Sequence, residues 1–120
     1  MQIHVLKSKI HRAIVTAANV NYEGSLTIDA ELMQKAGFYP YERILCGNLA
    51  NGNRFETYVI AGERGSRAII LNGATAHLGK AGDVLTIMSY TWIEEAAAKS
   101  WQPRMLVLGK NNQIVNERGI

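Results

Sequence analysis

Residues Asn51–Ile60 read "NGNRFETYVI". Asn-Gly tolerates the positive φ angles of a tight type I′ turn, so Asn51–Asn53 predicts a β-hairpin. The residues that follow alternate. Arg54, Glu56, Tyr58 and Ile60 share one face, and Phe55, Thr57 and Val59 the other, the period of a half-buried strand. Working outward, Arg43–Gly47 supplies the hairpin's first strand. Ile3 and Val5 alternate, and Ala13–Thr16 is short and rich in β-branched residues. Further strands are expected at Ser25–Ile28, Ala68–Leu71, Val84–Tyr90, Met105–Leu108 and Gln113–Val115. Asp29 is placed to cap a helix of about two turns, with Glu31 in its first turn. Leu32, Met33 and Ala36 form its apolar face, and Gly37 ends it. Ile93–Ser100 reads as a surface helical turn. Many short strands with one or two small helices predict a closed β-barrel, and 120 residues suit one domain.

Composition removes several classes of function. Hydrophobic residues make up 48% and charged residues 19%, the balance of a globular core rather than a disordered chain. No apolar run is long enough to span a membrane, and "MQIHVLKSKIHR" lacks the pattern of a secretory signal. Cys46 is the single cysteine. It makes no intrachain disulfide, excludes a multi-cysteine zinc site and suits a reducing cytoplasm. Inside a strand it reads as a small core residue. The net charge of +3 favours anionic partners. Its densest group is only Lys7, Lys9 and Arg12, so most of the charge reads as solvated surface. "GATAHLGKA" at Gly73–Ala81 fails as a phosphate-binding loop, with the wrong glycine spacing and Ala81 where Ser or Thr is required. His4, His11 and His77 have no metal-ligand spacing, and no metal site is expected. No Ser-His-Asp arrangement is legible.

Two Gly-Ser pairs occur. Gly65–Ser66, in "GERGSR", has charged flanks and reads as a solvent loop. Gly24–Ser25, in "NYEGSLTID" at Asn21–Asp29, stands before a strand. It also belongs to an ordered set: "KIHRAIVT" at Lys9–Thr16, "NYEGSLTID", "NGNRFETYVI", "GERGSR" and "LNGATAHL" at Leu71–Leu78. Together these segments resemble the pyruvoyl-dependent aspartate 1-decarboxylases, over about Met1–Tyr90. The resemblance implies a six-stranded double-psi β-barrel and a cytoplasmic homotetramer with active sites between subunits. It implies self-cleavage between Gly24 and Ser25 into residues 1–24, the β chain, and 25–120, the α chain. It further implies conversion of L-aspartate to β-alanine and CO2, feeding pantothenate and coenzyme A biosynthesis, and it leaves room for a maturation-helper protein.

The chemistry suits these residues. Decarboxylating an amino acid leaves electrons that need a sink, usually a cofactor, and no phosphate cradle for one is present. A ketone made from the chain serves instead. The Ser25 hydroxyl attacks the Gly24 carbonyl, turning amide into ester. Elimination and hydrolysis then leave a pyruvoyl group and ammonia. Gly24 offers no side chain to block the attack and adopts strained φ/ψ. Aspartate condenses with the ketone to a Schiff base, which drains the electrons of the departing carboxylate.

By the same resemblance, Tyr58 is the proton donor, since a phenol keeps its proton at neutral pH. Arg54, about 13 Å along the strand, binds the side-chain carboxylate with its guanidinium fork. Thr57 assists cleavage and borders the substrate, and Asn72 orients the tyrosine. Gly73, Ala74 and Thr75 form the loop that closes on the substrate, and Lys9 faces its carboxylates. Tyr22 and His11 are lesser candidates. Without the motif, Tyr58 would read as packing, Arg54 as surface and Asn72 as a turn residue. Thr75 stands where the family commonly has alanine, and Gly47 where some relatives have an aromatic residue. The competing reading is an uncleaved β-barrel module that binds an anionic ligand or nucleic acid. Such a module has no need of "YEGS", "RFETY" and "NGATA" together. A pyruvoyl enzyme for another amino acid is a third reading.

Overall fold

The computed structural model describes residues 1–119. Nine strand segments run in the order β2-β6-β3-β5-β4-β7-β1-β8-β9. These are β1 (Gln2–Ile14), β2 (Ala17–Asn19), β3 (Leu26–Asp29), β4 (Arg43–Asn48), β5 (Arg54–Gly62), β6 (Ile69–Asn72), β7 (Val84–Glu94), β8 (Arg104–Leu108) and β9 (Ile114–Arg118). Helix α1 (Ala30–Ala36) follows β3, α2 (Glu95–Ala98) follows β7, and a 3-10 turn covers Gly73–His77.

The sheet has to curl. β1 is seventh in the order and β2 first, yet only Val15 and Thr16 lie between them. Three residue steps span about 10 Å, whereas six flat strand spacings would cover about 29 Å. The run therefore closes on itself as a small β-barrel. Thr16 seals the closure by donating its N–H to the Ile69 carbonyl at 2.8 Å. Asn112 adds a second tie, donating from Nδ2 to the carbonyls of Ile14 and Arg67 at 2.9 and 3.0 Å.

Alternation then fills the interior. Ile10, Leu26, Ile28, Val59, Ile69, Leu71, Leu85, Ile87 and Leu106 are fully buried, and α1 plugs one end with Leu32, Met33 and Ala36. Asp29 caps α1, accepting from the Glu31 N–H at 2.8 Å, and Gly37 closes it at φ 81°. Cys46 is a core residue whose thiol burial pushes up to about 12, so it is inert.

Several expected elements differ in detail. Ile3–Val5 and Ala13–Thr16 belong to one long strand, β1, whose alternation is hidden by two register shifts, at Leu6/Ser8 and Ile10/Ala13. Arg12 in the second shift has φ 65°. The Asn51–Gly52 hairpin exists, but its loop spans Leu49–Gly52, closed by Asn48 N–H to the Asn53 carbonyl at 2.8 Å. Gly52 is at φ 76°, and Asn51 is not among the residues at positive φ. The asparagine side chains account for this longer turn: Asn48 Oδ1 accepts from Ala50 N–H and Asn51 Oδ1 from Asn53 N–H, both at 2.9 Å. Strand β7 runs on to Glu94, so the helical turn expected from Ile93 is confined to Glu95–Ala98. No helix among the described residues is long and apolar enough to cross a membrane.

Candidate active site

Strand β3 sits between β5, parallel to it, and β6, antiparallel to it. The paired residues are Leu26↔Val59 on one side and Leu26↔Leu71 on the other. Continued one residue back, this register sets Ser25 beside Tyr58 and Asn72. Gly73, the residue after Asn72, then meets Gly24. The sheet thus gathers Tyr58, Asn72 and Gly73 around the Gly24–Ser25 bond.

That bond is strained. Ser25 has φ 102° and Gly24 φ 38°. A non-glycine residue at such an angle stores roughly 1–3 kcal/mol. Ser25 is also only 1% exposed. Its carbonyl accepts the Asn72 N–H at 3.1 Å, and its hydroxyl lies 3.3 Å from Asn72 Nδ2. Asn72 Nδ2 also donates to Thr27 Oγ1 at 2.8 Å. The asparagine amide is therefore committed to Ser25 and Thr27, not to Tyr58, whose orientation it was expected to fix. Thr75 Oγ1 donates to the Asn72 carbonyl at 2.7 Å and reaches the Ser25 carbonyl at 3.4 Å. Thr57 is half-buried and forms no hydrogen bond to the Gly24–Ser25 peptide.

Gly73 meets this segment directly. At φ 61° it lies so close that a Cβ would stand 2.7 Å from Gly24 N and 2.8 Å from Gly24 Cα. Beyond it, Ala74 and Thr75 continue in the 3-10 turn. On the open side, Ser25, Tyr22, Glu23, Tyr41, Tyr58 and Ile60 line a cleft of about 390 Å³, a size usual for small ligands. Tyr58 is 39% exposed, and Tyr41 tilts against it with ring centroids 6.2 Å apart. A larger hollow of about 540 Å³, lined by His4, Tyr90 and Trp92, lies elsewhere and holds none of these groups.

Lys9 and Arg54 do not join the cleft. Arg54 is exposed at the hairpin end of β5, opposite Gly47. A Cβ at Gly47 would meet nothing within 4 Å. Lys9 is on β1, between Met88 of β7 and Met105 of β8. Near it, His11 is held below its ordinary pKa by burial and then by the charges of Lys9, Arg12 and Arg118. No cluster of His, Cys, Asp or Glu that could hold a metal occurs among the described residues.

Tyr41 and Thr27 were missed in the sequence. Tyr41, at φ 67° and 76% exposed, is turned into place by its N–H bond to the Val59 carbonyl at 2.7 Å. Its one visible sign was the aromatic pair flanking a proline in "YPYE". Thr27 looked like any strand threonine, and only the two-sided pairing of β3 places it beneath Asn72.

Fold and site define a class: a small β-barrel with a buried serine, held at positive φ, at a ligand-sized cleft. A family profile described as Aspartate decarboxylase matches residues 1–115. A protein of Thermoanaerobacter pseudethanolicus named Aspartate 1-decarboxylase is 49% identical over 97% of this chain and 99% of its own length. Proteins of that name from Clostridium kluyveri and Caldicellulosiruptor saccharolyticus are each 53% identical. Those matches cover 95% and 96% of this chain, and 90% of each relative. The chain belongs to the aspartate decarboxylase family.

Proposed function

We propose that this protein removes the α-carboxyl group of L-aspartate, releasing CO2 and β-alanine, and that it does so with a pyruvoyl group made from its own Ser25. The observation that carries this reading is the strained Gly24–Ser25 bond at the floor of a ligand-sized cleft, faced by a phenol. Ser25 fits the role of precursor. Its hydroxyl accepts from Asn72 Nδ2 at 3.3 Å, which restrains the oxygen for attack on the Gly24 carbonyl of the same peptide bond. Breaking the bond releases the strain at φ 102°. The chain then falls into residues 1–24 and 25–120.

When formed, the pyruvoyl ketone supplies the electron sink for decarboxylation. The remaining work falls to the protein's own side chains. Tyr58 holds a phenolic proton at the cleft wall and gives it to the substrate carbon that loses its carboxylate. Tyr22 and Tyr41 add aromatic surface to the cleft wall. The substrate's side-chain carboxylate needs a cation, and none lines the cleft. Lys9 and Arg54 supply it from a neighbouring copy in a homotetramer, which is why they stand apart within one chain. The protein works in the cytoplasm.

The test is an intact-mass spectrum of purified protein, before and after a carbonyl-reactive aminooxy reagent, alongside β-alanine production from L-aspartate. Two fragments are expected, the larger gaining the reagent. A single full-length species that binds anions without turning over aspartate would favour the uncleaved module instead.

A further inference from the structure

Two donors converge on the Ser25 carbonyl oxygen, and the attack on Gly24 uses neither of them. One is the Asn72 N–H at 3.1 Å, fixed by the pairing of β3 with β6. The other is the Thr75 hydroxyl at 3.4 Å. In the resting chain the Thr75 proton serves the Asn72 carbonyl at 2.7 Å, an ordinary bond to the third residue back. That bond accounts for a threonine in the turn. It does not account for the second acceptor, which the same oxygen reaches by rotating only its proton. Thr75 is 7% exposed, so little water competes for that proton.

We propose that Asn72 N–H and Thr75 O–H form an oxyanion cradle on the Ser25 carbonyl oxygen, and that Thr75 turns to it when Ser25 loses its α-proton. The inference rests on the self-cleavage reading above and deepens it. After the hydroxyl has attacked, Gly24 is esterified to Ser25 Oγ and the Ser25 nitrogen is a free amine. The α-proton then leaves Cα for solvent water. Its electron pair becomes the Cα=Cβ bond, the Cβ–Oγ bond breaks, and Oγ departs with its electrons as part of the Gly24 carboxylate. Tautomerisation and one water then give the ketone and ammonia, with no oxidant or reductant.

While the α-proton is leaving, its electron pair spreads onto the conjugated carbonyl oxygen. Donors already placed there stabilise that charge without reorganising, and a hydrogen bond to an oxyanion is shorter and stronger than a neutral one. The same oxygen remains, as the amide carbonyl next to the ketone, in the processed chain. The cradle is therefore in position for both reactions.

The experiment follows freshly purified uncut chain by denaturing mass spectrometry, with and without hydroxylamine. Brief treatment with neutral hydroxylamine in the cold, which spares the Asn51–Gly52 and Asn72–Gly73 bonds, cuts the ester form and leaves a hydroxamate on Gly24. Thr75→Val keeps the shape and removes the donor. It is expected to accumulate ester and to reach the cut form about tenfold more slowly, below the effect of losing a main oxyanion donor because the Asn72 N–H remains. Thr75→Ala, which adds no methyl group in place of the hydroxyl, repeats the result should valine disturb the packing. Thr75→Ser, with its hydroxyl kept, should match the parent. A parent chain that cuts while Thr75→Val and Thr75→Ala keep pace without excess ester overturns this inference alone. A parent that never cuts removes the self-cleavage reading along with it.

Discussion

Gly73 and Ser25 share one constraint from opposite sides. Ser25 holds an angle few side chains tolerate, and Gly73 presses on the residue before it with no side chain at all. Gly73→Ala would drive a methyl group into the Gly24 backbone, 2.7 Å from its nitrogen and 2.8 Å from its Cα. The variant should remain largely uncut by mass, whereas Gly47→Ala, whose Cβ meets open space, should process like the parent. Equal processing in the two would mean that the close approach is immaterial. Tyr58→Phe acts on the later step. It should process normally and lose about 10²-fold in turnover, the usual contribution of a placed acid; unchanged β-alanine production would take the proton from elsewhere. The two Gly-Ser pairs show what residue types conceal. Ser66 is exposed and donates to the Glu63 carbonyl at 2.6 Å, a plain turn. Ser25 is buried between two strands. Only tertiary pairing separates them, which is why the order of whole segments was needed to choose.

At the scale of elements, α1 depends on Asp29 for more than its start. The buried carboxylate accepts from Glu31 and Gly65 N–H through Oδ1, at 2.8 and 3.0 Å, and from Arg67 N–H through Oδ2, at 2.7 Å. The Arg67 guanidinium stands 3.6 Å away. Burial alone would raise the pKa of Asp29. The three backbone donors and Arg67 outweigh it and hold the carboxyl below its ordinary 3.8. A lowered carboxyl stabilises the fold fully above 3.8 and loses that contribution as pH falls through the lower folded value. Asp29→Asn should therefore cost about 2 kcal/mol at neutral pH, and the gap to the parent should shrink as the parent acidifies below pH 3.8. Urea melts at neutral and acid pH measure this; a constant gap would mean the charge is not what matters. The cap was legible from Asp29 with its acidic neighbour. Its second role, tying down residues 65–67, was not, because those donors lie 36 and 38 residues away. Short alternating runs such as Arg54–Ile60 were legible, while β1 hid its continuity behind two bulges.

The whole molecule leaves its site short of charge. Closure of the barrel follows from two residues between β1 and β2, a constraint of pairing order that no local pattern displays. That closure puts Ser25 and Tyr58 of one chain at one cleft, with Asn72 and Thr75 hydrogen-bonded to Ser25, and leaves Lys9 and Arg54 outside the cleft. The far halves of β1 and β7 also stand out as a ribbon with Trp92 and Tyr90 exposed and His4 stacked on Trp92 at 4.3 Å. A two-stranded ribbon gains little stability alone, and the homotetramer proposed above would cover it. If sites form between copies, two damaged chains can repair one another. Ser25→Ala lacks the reactive centre but keeps Arg54; Arg54→Ala keeps Ser25 and lacks the clamp. Each alone should be nearly inactive, the first because it makes no ketone, the second by roughly the 2–5 kcal/mol lost when a buried charge pair is broken. Co-expressed and purified together through two different tags, they should regain a substantial share of parental activity, since a mixed assembly pairs an intact Ser25 with an intact Arg54 across the boundary. Separately purified chains mixed without exchange should stay inactive. If the doubly tagged assembly is no more active than its parts, Arg54 serves the cleft of its own chain, and the side-chain carboxylate is bound without help from next door.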